Sequence, residues 1–159
     1  MSSDNKFHMR RKDKELADSK EIEGIVKKAT VCRLGLMDED EAYIVPVNFG
    51  YEKNAIYFHS ALEGRKIELI KRNDKVCFEV EADVGIEKND KSECSVKYRS
   101  VIGMGRARIL ESAEERVRGL KAIMRQCAGG EYSFVEEKLN SVLVVEIKIE
   151  NITGKQSGF

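Results

Sequence analysis

The sequence contains no tryptophan, one proline and only two histidines, and its 28 lysines and arginines are matched by 28 aspartates and glutamates. A nucleic-acid footprint needs a basic excess, so zero net charge argues against that class of partner. His8 and His59 stand alone, with no H-E-x-x-H run, and no metal site is expected. The four cysteines, at 32, 77, 94 and 127, form no C-x-x-C pair, which excludes a zinc knuckle and a thioredoxin-type redox motif. Cys32 and Cys77 lie inside apolar runs and read as small core residues. No apolar run approaches the length of a membrane span. The start, Met1 to Glu15, lacks the apolar stretch of a signal peptide. The expectation is a cytoplasmic protein, with no membrane partner, in which the sequon-like Asn151-Ile152-Thr153 is a chance match.

What is present is a chain of 159 residues, 42% apolar and 35% charged, enough to bury a core without disulfide or metal staples. It reads as a single domain over residues 1–159, with a polar arm at 1–17 and an irregular tail at 152–159. The arm carries a net charge of +3 between Met1 and Lys14. It reads as a solvated segment, or as one lying across a partner subunit or an anionic ligand.

Asp18-Ser19-Lys20-Glu21 is a helix start, with Asp18 as N-cap and Glu21 as its capping-box acid. Ile22, Ile25, Val26 and Ala29 follow on one helical face. The period then changes to two: Cys32, Leu34 and Leu36 share a face of an extended segment from Thr30 to Met37. Asp38 to Glu41 is a turn. Ala42 to Phe49 is a strand whose Pro46 points to an edge or a bulge. Lys53-Asn54 turns into Ile56-Tyr57-Phe58-His59-Ser60. A helix is expected from Leu62 to Lys71, a strand from Lys75 to Glu81 and a polar loop from Asp83 to Glu93. A long strand from Ser95 to Leu110 is bent at Gly103 and Gly105. A helix capped by Ser112 and Glu115 runs to about Cys127, a short helical turn lies in 133–139, and a final strand spans Ser141 to Glu150. The count is about six strands with two or three inserted helices, largely antiparallel, and a barrel is the simplest closure because it removes edges.

Several motifs fail. Gly103-Met104-Gly105 lacks the third glycine and the following helix of a dinucleotide fingerprint. Gly154-Lys155 lacks the upstream glycine of a phosphate loop. His59 and Ser60 are neighbours on a strand and point to opposite faces, so they do not form a nucleophile–base pair. The junction from Ser60 to Lys66 is more informative. A strand gives way there to a helix with Arg65 and Lys66 in its first turns, although cations are preferred at the other end. A helix N-terminus, a serine hydroxyl, a guanidinium and an ammonium together suit a phosphate. Alternatively, Arg65 and Lys66 pair with Glu63 or Glu68.

Three segments carry a likeness: Tyr43-Ile-Val-Pro-Val-Asn-Phe-Gly-Tyr51, Ile56-Tyr-Phe-His-Ser-Ala-Leu-Glu-Gly-Arg-Lys-Ile-Glu-Leu-Ile70 and Tyr98-Arg-Ser-Val-Ile-Gly-Met-Gly-Arg-Ala107. Flanked by Met9 to Asp13 and Ile152 to Lys155, they resemble the pyridoxamine 5′-phosphate oxidase-related FMN-binding split barrels, and within them the nitroimidazole-resistance protein branch. The resemblance implies a mainly β fold with inserted helices, a six-stranded antiparallel split β-barrel. It also implies a homodimer with FMN at the subunit interface. By the same likeness Arg65 and Lys66 hold the FMN phosphate, aided by Ser60 and Ala61. Val45, Pro46, Val47 and Asn48 run beside the flavin ring and ribityl chain, and Ser100 and Val101 close the site. His59 lies beside the cofactor as the candidate proton donor to a small-molecule substrate. The strand at 42–49 has no arginine or lysine, and the chain has no tryptophan, so the likeness does not extend to the vitamin B6 oxidase reaction. The implied activity is an FMN-dependent reductase of small electron-poor compounds. The alternative is a non-catalytic flavin- or heme-binding dimeric barrel. Tyr43, Phe49, Tyr57, Phe58 and Tyr98 read mainly as core or interface packing.

Overall fold

The computed structural model describes residues 9–88, 94–130, 132–134 and 136–159. After a 3-10 turn at Lys12–Lys14, the elements are β1 (Glu15–Leu16), α1 (Ser19–Lys28), β2 (Cys32–Asp38), β3 (Glu41–Val47), β4 (Gly50–Glu52) and β5 (Ala55–Ser60). They continue with α2 (Arg65–Arg72), β6 (Lys75–Lys88), β7 (Cys94–Ile109), α3 (Ala113–Ala128), α4 (Glu136–Asn140) and β8 (Leu143–Ser157). The strands run antiparallel in the order β3-β2-β6-β7-β8-β5-β4, with β1 added to β8. The fold is mainly β with inserted helices, as expected, and the described residues form eight strands where the sequence pattern suggests about six.

Local chemistry explains most boundaries. Asp18 caps α1 by accepting from the Lys20 N–H at 2.9 Å, so the N-cap stands where the sequence put it while the bond is a short Asx turn. Ser112 caps α3 by accepting from the Glu115 N–H, and its hydroxyl meets the Glu115 carboxylate at 3.1 Å, the expected capping pair. Lys53 and Asn54 both have positive φ, 48° and 61°, the geometry that lets a two-residue turn follow the strand twist between β4 and β5. Pro46 lies on β3, an edge strand, where its missing N–H breaks no ladder.

Four expectations are corrected. The tail at 152–159 is not irregular: β8 continues to Ser157 and pairs Ile152 to Ser157 with Gly103 to Tyr98 of β7. The 16-residue β7 leaves a long row of backbone donors and acceptors that this extension satisfies. Within the arm, residues 12–16 are ordered by the 3-10 turn and by β1, with Glu15 opposite Lys155; residues 1–8 lie outside the described residues. The segment from Asp83 is not a loop, because β6 runs to Lys88 through a register shift between Ala82 and Gly85; residues 89–93 lie outside the described residues. The helix expected from Leu62 begins at Arg65, because Gly64 at φ 134° takes a conformation that side chains rarely adopt and fixes the cap there.

One face of the sheet encloses the main core: Leu34, Leu36, Ile56, Phe58, Phe78, Val80, Val145 and Ile147, closed by Ile22, Ile25 and Val26 of α1 and by Ile67, Leu69 and Ile70 of α2. A second cluster places Leu120, Ala122 and Ile123 of α3 on Ala55, Tyr57 and Val144. The bend expected at Gly103 and Gly105 is a register shift between Met104 and Gly105, where Glu150 of β8 is the extra residue. The glycines serve close approach: a Cβ on Gly105 would lie 2.3 Å from the Lys148 carbonyl oxygen. No helix is long and apolar enough to cross a membrane among the described residues.

Candidate functional site: the junction of β5 and α2

β5 is covered on both faces, which explains its nearly continuous apolar run. Ile56 and Phe58 enter the main core, and Ala55 and Tyr57 meet the cluster under α3. Strand alternation then gives the last two residues different fates. His59 is exposed, and Ser60 falls on the core side, only 5% exposed. The Ser60 hydroxyl is buried and has no hydrogen-bond partner among the described residues. A buried unpartnered hydroxyl is costly, and a ligand oxygen at this spot would remove the cost.

After four exposed residues, 61–64, the chain enters α2. Gly64 caps it without a side chain, and its carbonyl accepts from the Ile67 and Glu68 N–H groups at 3.0 and 3.1 Å. The N–H groups of Arg65 and Lys66 are therefore left over at the positive end of the helix, the usual anion seat. Arg65 is exposed and Lys66 half-buried. Neither makes the pairing with Glu63 or Glu68 that stood as the alternative. Arg65 donates to Asp38 Oδ2 from Nε at 3.1 Å and from Nη2 at 2.8 Å, and its guanidinium lies over the Tyr43 ring, 4.6 Å from the centroid. Lys66 has no carboxylate partner among the described residues. The Asp38 carboxyl is held below its usual range, first by the Arg65 hydrogen bond and then by Arg72, while Arg65 is pushed up by the same contact.

The remaining expected residues divide by strand parity. Pro46 and Asn48 are exposed, whereas Val45 and Val47 are half-buried and pack against the core. Ser100 is half-buried. Val101 is fully buried in the core, so its side chain is a packing element and only its backbone can face a ligand. Ala61 is exposed beside Ser60. Asn48 lies two residues before Gly50 and His59 two residues after Tyr57, its partner across β4 and β5, so the two residues flank the same end of the β4–β5 ladder. Asp38 and Tyr43, which hold Arg65, look in the sequence like a turn acid and a packing aromatic. A contact spanning 27 residues of sequence has no local signature.

Pro46 pairs with Arg33, Arg33 with Glu79, and Glu79 with Ile102, forming one row on the outer side of the sheet. The next row runs Ile44, Gly35, Cys77, Met104. Ile44 is 67% exposed and Ile102 50% exposed, so this face carries an apolar strip. Two cavities of the chain, of about 270 Å³ beside Lys28, Asp83 and Arg99 and about 410 Å³ beside Lys121, Arg125 and Tyr132, are not lined by Ser60, Arg65 or Lys66. Residues 61–65 of the junction are exposed at the surface of the chain.

The family model for pyridoxamine 5′-phosphate oxidase matches residues 18–156. A candidate 5-nitroimidazole antibiotic resistance protein from Bacteroides thetaiotaomicron is 31% identical, with 89% of this chain and 86% of that chain covered and a TM-score of 0.81. A flavocytochrome from Azotobacter vinelandii has a TM-score of 0.81 at 17% identity, over 99% of this chain and 75% of that one, a likeness of fold alone. An uncharacterised protein of Rhizobium meliloti (strain 1021) is 32% identical over 60 residues, 38% of this chain and 39% of that relative's length. The chain belongs to the pyridoxamine 5′-phosphate oxidase family and has its split-barrel fold.

Proposed function

We propose that this member of the family is an FMN-binding flavoprotein that reduces small electron-poor compounds such as nitroimidazoles, working as a homodimer with FMN at the subunit interface. The observation that carries the reading is the Ser60 hydroxyl, buried and unpartnered among the described residues, at the strand end that leads into Arg65 and Lys66. A phosphate monoester offers that hydroxyl an acceptor, and it offers the guanidinium, the ammonium and the two spare N–H groups of α2 a dianion. The residues present therefore fit the phosphate end of FMN.

Each remaining residue has a role in that reading. Arg65 supplies a fork and Lys66 a point charge. Ala61 offers backbone beside Ser60. Val45 to Asn48 lie along the ring and ribityl chain, Pro46 and Asn48 by their exposed sides and Val45 and Val47 by their backbone. Ser100 and the backbone of Val101 close the far edge. His59 is exposed at the end of β5 and would hold the proton delivered to the reduced substrate. Bound FMN supplies the two-electron transfer between a reduced nicotinamide donor and the electron-poor acceptor. The apolar strip around Ile44 and Ile102 would be covered by a second copy, turning the open junction into a crevice. The substrate class draws its support from the 31% identical nitroimidazole-resistance relative.

The test is a visible spectrum of the purified protein, followed by anaerobic reduction with a nicotinamide donor and addition of a nitroimidazole. Flavin bands that bleach and then return support the reading. A Soret band would indicate a heme protein instead, and flavin bands that never turn over would indicate a binding protein. An Arg65→Ala, Lys66→Ala variant is expected to lose the flavin, and unchanged occupancy would refute the site.

A further inference from the structure

We propose that Asp38 is a positioning residue of the phosphate clamp, setting the Arg65 guanidinium for a phosphate monoester without touching the ligand itself. The inference rests on the flavin-phosphate reading above and extends it to a residue outside the junction.

Both oxygens of Asp38 are committed to one helix. Oδ2 accepts from Arg65 Nε and Nη2, and Oδ1 accepts from Arg72 Nη2 at 3.0 Å. Arg65 and Arg72 are the first and last residues of α2, seven apart, so they share a face two turns long. One carboxylate thus spans the helix from end to end. Asp38 is itself the last residue of β2, paired with Glu41 at the turn into β3. The strap therefore ties the helix that would hold the phosphate to the hairpin whose second strand would hold the ring.

Tyr43 completes the arrangement. It lies on β3, and its ring backs the Arg65 guanidinium while Asp38 grips the guanidinium edge. An arginine left to itself samples many rotamers, and binding then costs the entropy of fixing one. Here the fork is held from its edge and its face before any ligand arrives. The Asp38 side chain is 24% exposed and that of Arg65 54%, so the carboxylate is the sheltered partner and the guanidinium the presented one.

A rival role has the opposite sign. Asp38 would be a competitor that occupies Arg65 and must be displaced, and its removal would then tighten binding. The experiment is titration of the full chain with FMN and with riboflavin, which lacks the phosphate, followed by flavin fluorescence. It compares the wild type with Asp38→Ala, Asp38→Asn, Arg65→Ala and the Asp38→Ala, Arg65→Ala pair. The expected result is FMN binding weakened about ten-fold by Asp38→Ala, riboflavin binding unchanged, and no further loss when Asp38→Ala is added to Arg65→Ala. Asp38→Asn, of the same shape but without the charge, is expected in between, and it carries the comparison should Asp38→Ala not fold. Tighter FMN binding, an equal loss for both flavins, or a full loss in the Arg65→Ala background would each overturn the proposal. A wild type that shows no preference for FMN over riboflavin would instead refute the flavin-phosphate reading, and the role of Asp38 with it.

Discussion

The ring of Phe78 fills the space that a side chain on Gly103 would need. A Cβ built on Gly103 lies 2.1 Å from Phe78 Cζ, and the two residues are directly paired across β6 and β7. Phe78 is fully buried, so the ring has nowhere to retreat. Gly103→Ala is expected to destabilise the protein by about 1–3 kcal/mol through overpacking, read as a lowered denaturation midpoint. A variant as stable as the wild type would mean that the ring does not occupy this position.

His59 and Ser60 stand side by side in sequence and face opposite sides of β5, one exposed and the other buried. His59→Ala is therefore expected to leave both the core and flavin retention intact. Turnover should fall about 100-fold, the lower range of a lost general acid. Steady-state rates with a nitroimidazole, alongside flavin content, check this. An unchanged rate would remove His59 from the chemistry.

The outer face of the sheet leaves Ile44 and Ile102 exposed in one row and the next. If a second copy covers them, Ile44→Asp places a charge in that interface and is expected to shift the protein from dimer to monomer with loss of flavin. Sedimentation velocity and flavin content read both effects. A wild-type monomer that binds FMN tightly would contradict the shared site.

The cysteines differ in reach and in acidity. Burial pushes the Cys32 thiol up to about 12, and Cys32 is fully buried, whereas Cys94 and Cys127 are exposed. Because the thiolate is the reactive form, iodoacetamide at mildly alkaline pH is expected to label Cys94 and Cys127 in the native protein. Cys32 should react only after denaturation. Peptide mass mapping decides it, and native labelling of Cys32 would show that the β2 face is not closed.

What could be read from sequence was local. The caps at Asp18 and Ser112, the apolar face of Ile22, Ile25 and Val26, and the left-handed pair Lys53-Asn54 are signalled by residues within a few positions of one another. The placing of Ser60 and Arg65 on either side of a strand–helix junction is local in the same way. The extension of β8 through Ile152 to Ser157 was not, because Thr153-Gly154-Lys155-Gln156 has no apolar alternation. Its strand is dictated by the backbone of β7, and backbone pairing does not depend on side-chain pattern. The grip of Asp38 on Arg65 was hidden because it depends on where a hairpin and a helix meet in space. Val101 follows Ser100 on an alternating strand, so one of the two must face the core, and it is the Val101 side chain that does.

The proposed function requires a phosphate dianion seated by Ser60, Arg65 and Lys66. The most direct test is the affinity of the wild-type protein for FMN against that for riboflavin, measured in the same buffer. Two or more charge-assisted hydrogen bonds separate the two ligands, so FMN is expected to bind at least about 100-fold more tightly. Equal affinities would contradict the account.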